Sequence, residues 1–313
     1  MIKKIIFTKT IIFIFVLSLL KSQILLSENK AFIVLKIDNE IITNLDIKKE
    51  YKYLKLLNSD LEKLKKDESY FYARNSVIRE KIKKIEIEKF LSIDAPNKFV
   101  DGLVIQFYKN LNLNSDEEIS SFLKKNDLLE KDIIQKIKIE TLWNELIYSK
   151  YRNQIIIDED KLKIKIKNNK ETTNLYFLYE ILFKVEPGED VNKKYEAIRK
   201  NIYDNGIKNS AAEYSISDTS KFGGKIGWVK EEQLSEIIKE EITQINLSEI
   251  TNLIKVPGGY LILYLEDKKE EERKLDLDNA LIEIIKYEKN KQLNQFSLIY
   301  FNKIKNNLTF NEY

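Results

Sequence analysis

The chain has 313 residues, 43% hydrophobic and 33% charged, with a formal net charge of +3. That is enough for two modest domains or one large one, each with a real core. It contains no Cys and no His, which excludes a disulfide framework and a thiolate nucleophile and argues against zinc sites and Ser-His or Cys-His catalysis. In chain order, Lys3, Lys4 and Lys9 come first, ahead of an apolar run from Ile11 to Leu20. This is the layout of an export signal, and the run is shorter than the roughly 20 apolar residues that span a bilayer. Residues 1–27 are therefore expected to be a cleaved signal, with Ser22 or Ser27 as the small residue; an uncleaved anchor is the alternative. Cleavage after Ser27 removes four lysines and no acids, which takes the net charge from +3 to −1. A near-neutral chain with interspersed signs does not suit nucleic acid.

Residues 28–170 read as a helical domain with a short opening strand, Phe32 to Ile37. After a polar turn at Asp38-Asn39-Glu40, Thr43 is placed to cap a helix beginning at Asn44, with Asp46 near its positive end. Ile78, Ile82 and Ile85, and then Ile139, Leu142, Trp143 and Leu146, recur at helical spacing. Ser115-Asp116-Glu117-Glu118 is a capping-box pattern, and Pro96 separates helices. Asp158-Glu159-Asp160 is explained by a helix start better than by a metal. Lys161 to Lys170 reads as a helix end and linker.

Residues 171–270 hold seven of the eight glycines. A chain so poor in glycine places it where the backbone needs positive φ or a close approach. Tyr176 to Phe183 is a β-prone aromatic run ended by Pro187-Gly188. A helix with Tyr195, Ile198 and Ile202 on one face stops at Gly206, and a short helix covers Ala211 to Tyr214. Glu231 to Ile242 is again helical, and Tyr260 to Leu265 closes a small antiparallel sheet. The order β-α-α-β-α-β makes the chain α+β. Residues 271–313 are a third region, with a long helix from Asp276 to Asn307. A lone helix with that much apolar surface is unstable in water, so it is expected to pack on the helical domain and make the glycine-bearing module an insertion.

Three stretches taken in order resemble the SurA family of periplasmic chaperones. These are Leu35 to Ile47, Val77-Ile78-Arg79-Glu80-Lys81-Ile82, and Ile139-Glu140-Thr141-Leu142-Trp143. The glycine-bearing module is similar to the parvulin (PpiC-type) peptidyl-prolyl isomerases. Ser215 through Phe222-Gly223-Gly224-Lys225-Ile226-Gly227-Trp228 is close to their S-x-x-x-S-x-x-x-G-G-x-L-G-W signature, and Gly259-Tyr260-Leu261-Ile262-Leu263 matches their G-x-H-I-I strand. There is room for a single such domain, where the best-known SurA proteins have two.

By that resemblance the family's two groove histidines fall at Glu180 and Leu261. Its central Cys or Asp falls at Ser217, or at Asp218 if the loop is one residue shorter. The proline pocket maps to Ile226, Leu234 and Ile238, and the groove Gln to Gln233. The bland readings stand beside these: Glu180 as an ordinary strand residue, and the pocket residues as ordinary core. The resemblance implies a periplasmic chaperone whose partners are unfolded outer-membrane protein segments and, secondarily, the outer-membrane assembly machinery. It implies no cofactor, metal or nucleic acid, and no phosphate-cradling glycine loop is present to hold a nucleotide. Leu261 cannot hydrogen-bond, and Glu180 offers a carboxylate, so isomerase activity is expected to be weak or absent. A true isomerase working through Glu180, Ser217 and Asp218 is the alternative.

Overall fold

The computed structural model describes residues 30–167, 172–186, 188–272 and 277–313. The signal expected at 1–27 lies outside them, as do Pro187, the linker end at 168–170 and Asp276.

The chain enters through β1 (Ile33–Ile37) and β2 (Glu40–Thr43), an antiparallel hairpin. Helix α1 (Asn44–Leu57) starts at a capping box: Thr43 Oγ1 accepts from the Asp46 amide at 3.2 Å, and Asp46 Oδ2 accepts from the Thr43 amide at 2.8 Å. Reciprocal capping satisfies amides that a helix start otherwise leaves orphaned. After α2 (Lys66–Ile87), the Asn97 side chain caps α3 (Lys98–Asn110), and a Ser115–Glu118 box opens α4 (Asp116–Asn126). Helices α5 (Glu130–Tyr151) and α6 (Glu159–Lys167) complete this region. The run from Lys161 is thus the body of a helix as far as Lys167. Its alternating Lys and Ile suggested an ending, but α6 packs along the C-terminal helix, which supplies the support its weak period does not.

Fully buried Trp143 and Ile139 on α5 share one core with Ile82 and Tyr72 of α2 and Ile47 and Leu54 of α1. The C-terminal helix α10 (Leu277–Lys305) joins that core through Leu293, Phe296, Tyr300, Phe301 and Ile304. Phe296 stacks on Tyr151 with centroids 4.8 Å apart, and Trp143 Nε1 donates to Ser297 Oγ at 2.8 Å. Each large apolar side chain buried this way contributes about 1.5–3 kcal/mol. A last strand, β7 (Phe310–Glu312), pairs antiparallel with β1, giving a three-stranded sheet β2-β1-β7. Nothing in the sequence announces β7; all three of its residues are exposed and its pairing is wholly long-range.

The glycine-bearing module is α+β, as the pattern required. In order come β3 (Thr172–Phe183), α7 (Val191–Asn205), α8 (Ile207–Tyr214), β4 (Lys225–Lys230), α9 (Glu236–Thr243), β5 (Ile254–Val256) and β6 (Gly259–Glu272). They form an antiparallel sheet in the order β4-β3-β6-β5. Three details differ from the sequence reading. Helix α8 begins four residues earlier than Ala211. The stretch Glu231–Ile242 splits into a 3-10 turn, Glu231–Gln233, and α9. Strand β6 runs past Leu265 to Glu272, because Thr172–Phe177 of β3 pairs with Asp267–Glu272. That charged end has no apolar alternation to betray it.

One face of the sheet carries Tyr176, Leu178, Leu261, Leu263 and Leu265 against Ile242 of α9. The other carries Tyr179, Ile181, Phe183 and Ile262 against Ile198 of α7 and Ala211 of α8.

Candidate functional site

Glu180 lies toward the C-terminal end of β3, opposite Leu263, and Leu182 lies opposite Leu261. Period-2 alternation places Glu180 on the same face as Leu178 and Leu182, so the two groove positions carried over from the family share a face. Above Glu180 runs the loop from Ser215 to Gly224. Ser217 Oγ donates to Glu180 Oε1 at 2.7 Å, Thr219 Oγ1 donates to the same oxygen at 2.8 Å, and the two hydroxyls lie 3.1 Å apart. Burial raises the Glu180 carboxyl above its ordinary range; the two hydroxyls oppose that shift and nearby Asp218 adds to it.

Glycine fixes this geometry. Gly224 has φ +77°, and a Cβ there would stand 2.4 Å from the Glu180 carbonyl oxygen. The Glu180 amide donates to the Gly224 carbonyl at 2.7 Å. On the other side the Ile216 amide donates to the Leu182 carbonyl at 2.7 Å, and the Leu182 amide donates to Ser215 Oγ at 3.1 Å. The loop is stitched to β3 on both sides of Glu180.

The helical body grips the same loop from above. Arg79 Nη2 donates to Ser220 Oγ at 3.0 Å and Nη1 to the Ser217 carbonyl at 3.4 Å, while the Tyr72 hydroxyl donates to the Ser220 carbonyl at 2.9 Å. Lys83 donates to Asp218 Oδ1 at 3.0 Å and to Glu140 Oε2 at 2.7 Å, and Lys221 also binds Glu140. Burial alone would push the Glu140 carboxyl up, yet Lys221 and Lys83 hold it well below the usual range. The C-terminal helix reaches this module too. Burial, then the charges of Glu288 and Glu180, push the Tyr287 phenol up to about 12, and Leu298 packs against Gly258 so closely that a Cβ there would come within 2.5 Å of it.

The candidate residues do not stay together. Glu180 and Ser217 meet directly. Asp218, the other choice for the central position, turns away to Lys83 and serves the interface. Leu261, Leu234 and Ile238 pack in one apolar cluster with Ile254 and Val256, Leu261 and Leu234 being 7% and 5% exposed. The expected pocket is not intact as a set, because Ile226 sits at an irregularity in the β3–β4 pairing, is exposed and stands outside that cluster. Gln233 is spent locally: its Oε1 accepts from the Lys230 amide at 2.9 Å.

Sequence reading alone missed Thr219, Tyr72, Arg79, Lys83 and Tyr287. Thr219 stands two residues past Ser217 and could have been found by asking which hydroxyls share its turn; the others come from far along the chain and left no local signal. A shallow depression of about 570 Å3, lined by Tyr195, Arg199, Tyr203, Ile250 and Tyr264, opens on the opposite face of the module. Among the described residues no group of His, Cys, Asp or Glu is placed to hold a metal, and no helix is long and apolar enough to cross a membrane.

Residues 181–267 match the family model described as Rotamase: PPIC-type PPIASE domain. Two curated proteins named Chaperone SurA are similar to the chain. That of Pseudomonas aeruginosa is 36% identical over 55 residues, covering 18% of this chain and 13% of that protein. That of Pseudomonas putida is 23% identical over 168 residues, covering 49% and 38%. The second alignment is longer than the matched domain, so the likeness extends beyond it. The chain nevertheless spans well under half the length of either relative. Among solved structures, one of the pair of SurA-like chaperones of Campylobacter jejuni is 16% identical, with TM-score 0.39, covering 90% of this chain and 98% of that one. PrsA from Bacillus subtilis is 17% identical, with TM-score 0.28, covering 87% and 91%. The chain carries a PpiC-type PPIase domain on a helical body and is similar to chaperones of the SurA type.

Proposed function

We propose that the chain is a periplasmic chaperone for unfolded outer-membrane proteins, whose PpiC-type domain has little or no isomerase activity. The observation that carries this reading is the polar site itself. An isomerase must lower an X-Pro barrier of about 18–20 kcal/mol by holding the twisted amide better than the planar one. Here the central carboxylate already accepts from Ser217 and Thr219. Leu261 has joined the apolar cluster, and the loop above is held by Arg79, Tyr72 and Lys83. The side chains that would follow the swinging carbonyl are engaged with one another.

Clients, periplasmic location and contact with the outer-membrane assembly machinery belong to the same proposal. They are supported by the likeness to proteins named Chaperone SurA and by the export-signal layout of residues 1–27. A protease-coupled proline-peptide assay tests the isomerase half. The expected rate is at least about tenfold below that of a histidine-bearing parvulin domain, since one lost transition-state contact of ~1.4 kcal/mol costs that factor.

A second reading, that the domain is an active isomerase, is favoured by one specific observation. Glu180, Ser217 and Thr219 form a compact polar cluster with a raised carboxyl pKa, and a protonated Glu180 could donate a hydrogen bond. Parvulin-like rates that vanish in Glu180→Ala would select it.

A further inference from the structure

Strand β4 is the edge of the module's sheet, and of its six residues only Val229 is buried. Edge strands present unpaired N–H and C=O groups that template another strand, and they are commonly blunted by lysines and bulges. In β4 the irregularity falls at Ile226, so Gly227–Lys230 pair in regular register with Leu175–Leu178. Gly227, at φ +89°, leaves its face uncrowded, since a Cβ there would meet nothing within 4 Å, and the Lys230 amide is taken by Gln233 Oε1, so the edge on offer is that of Gly227–Val229 and the Lys230 carbonyl.

One face of this edge has a definite chemistry. Trp228, 40% exposed, meets Phe177 edge-on with centroids 5.3 Å apart. Lys225 lies over the Phe177 ring at 5.3 Å, so it shares that face, and Lys230 shares it by the two-residue period of a strand. The order along the edge is cation, aromatic, cation.

We infer that β4 binds an extended segment of unfolded polypeptide by strand addition, selecting an aromatic residue flanked two positions away on each side by acidic residues. Main-chain hydrogen bonds to the β4 edge supply affinity, and alternate side chains supply selectivity. The aromatic side chain lies on Trp228 and Phe177, and the two carboxylates face Lys225 and Lys230. Cross-strand aromatic and opposite-charge pairs are the arrangements a sheet rewards. An amphipathic strand of a β-barrel protein, still unfolded, has the required alternation. The inference rests on the chaperone reading for its client and gives that client a seat away from Glu180.

The test uses the full chain and a fluorescein-labelled peptide, Thr-Glu-Thr-Tyr-Thr-Glu-Thr, followed by anisotropy. Saturable binding is expected. It should fall at least about tenfold when the backbone is N-methylated along one edge of the peptide, and hold when methylated along the other, because strand addition uses a single edge. Lys225→Glu combined with Lys230→Glu should weaken this peptide by a similar factor and bind the counterpart in which both Glu are Lys. Both substitutions are at exposed positions, and circular dichroism checks the fold. Equal binding of the two methylated forms, indifference to the charge swap, or no saturable binding overturns strand addition. If aggregation suppression by the unmodified chain persists alongside any of these results, the chaperone reading survives and only the β4 site falls. If edge-specific peptide binding is seen without aggregation suppression, the chaperone reading is the one that fails.

Discussion

Glu180 is partly buried and accepts from Ser217 and Thr219, and its titration gives a signed prediction. Burial raises its pKa above the ordinary 4.5, so the folded chain holds the proton more tightly than the unfolded chain does. Stability from this site is whole below pH 4.5 and is lost as pH rises through the raised folded-state value. Glu180→Gln keeps an acceptor for Ser217 and Thr219 and removes the ionisation cost. Its urea midpoint should therefore exceed that of the unmodified chain at pH 8 and approach it at pH 4.5. A constant difference between the two pH values would show that the carboxyl is not desolvated. Leu261 makes a second, simpler prediction. It sits among Leu234, Ile238 and Val256, so Leu261→Ala should cost about 2–5 kcal/mol; a cost below about 1 kcal/mol would mean the site is an open groove position. At this scale the sequence was only partly legible. Ser217 and Glu180, which the signature puts at groove positions, do meet in the structure, because both are fixed by local turns and the glycines that permit them. It could not decide between Ser217 and Asp218, because what removes Asp218 is Lys83, more than a hundred residues away in the chain.

Between elements, the grip of α2 on the loop above Glu180 is the main finding. The Lys83 side chain is 3% exposed and bridges Glu140 and Asp218. Its loss strands neither partner, because Asp218 is half exposed and Glu140 keeps Lys221, so the cost is that of hydrogen bonds to charged groups, about 1.5–3 kcal/mol. Lys83→Ala should lower stability by that order in urea unfolding. Arg79→Ala should instead act locally, raising hydrogen exchange at the amides of Ser217 to Lys221 while those of β3 stay protected. Unchanged exchange in that loop would mean β3 alone holds it. The capped helix starts at Thr43 and Ser115 were legible because caps are local signals. Strand β7, the far end of β6 and the body of α6 were not. Each is held by pairing or packing with a segment distant in sequence, and such contacts leave no trace in a window of neighbouring residues.

Across the whole molecule, α10 ties together the helical body and the PpiC-type module. Ser297, Phe296 and Tyr300 meet Trp143 and Tyr151, while Leu298 meets Gly258 of the module. Deleting residues 277–313 removes a wall of the larger core together with β7. Circular dichroism of the truncated chain should show loss of most body helix, and unchanged helix content would contradict a composite body. That the C-terminal helix had to return was legible from its unpartnered apolar stripe; that it also reaches the module was not. That the molecule holds unfolded clients without depending on isomerisation is a proposal best checked by light scattering. An unfolded outer-membrane β-barrel protein is diluted, without ATP, into stoichiometric amounts of the full chain or of its Glu180→Ala variant. Suppressed scattering, equal for both, is expected; no suppression at several-fold excess, or suppression lost with Glu180, would overturn the proposal.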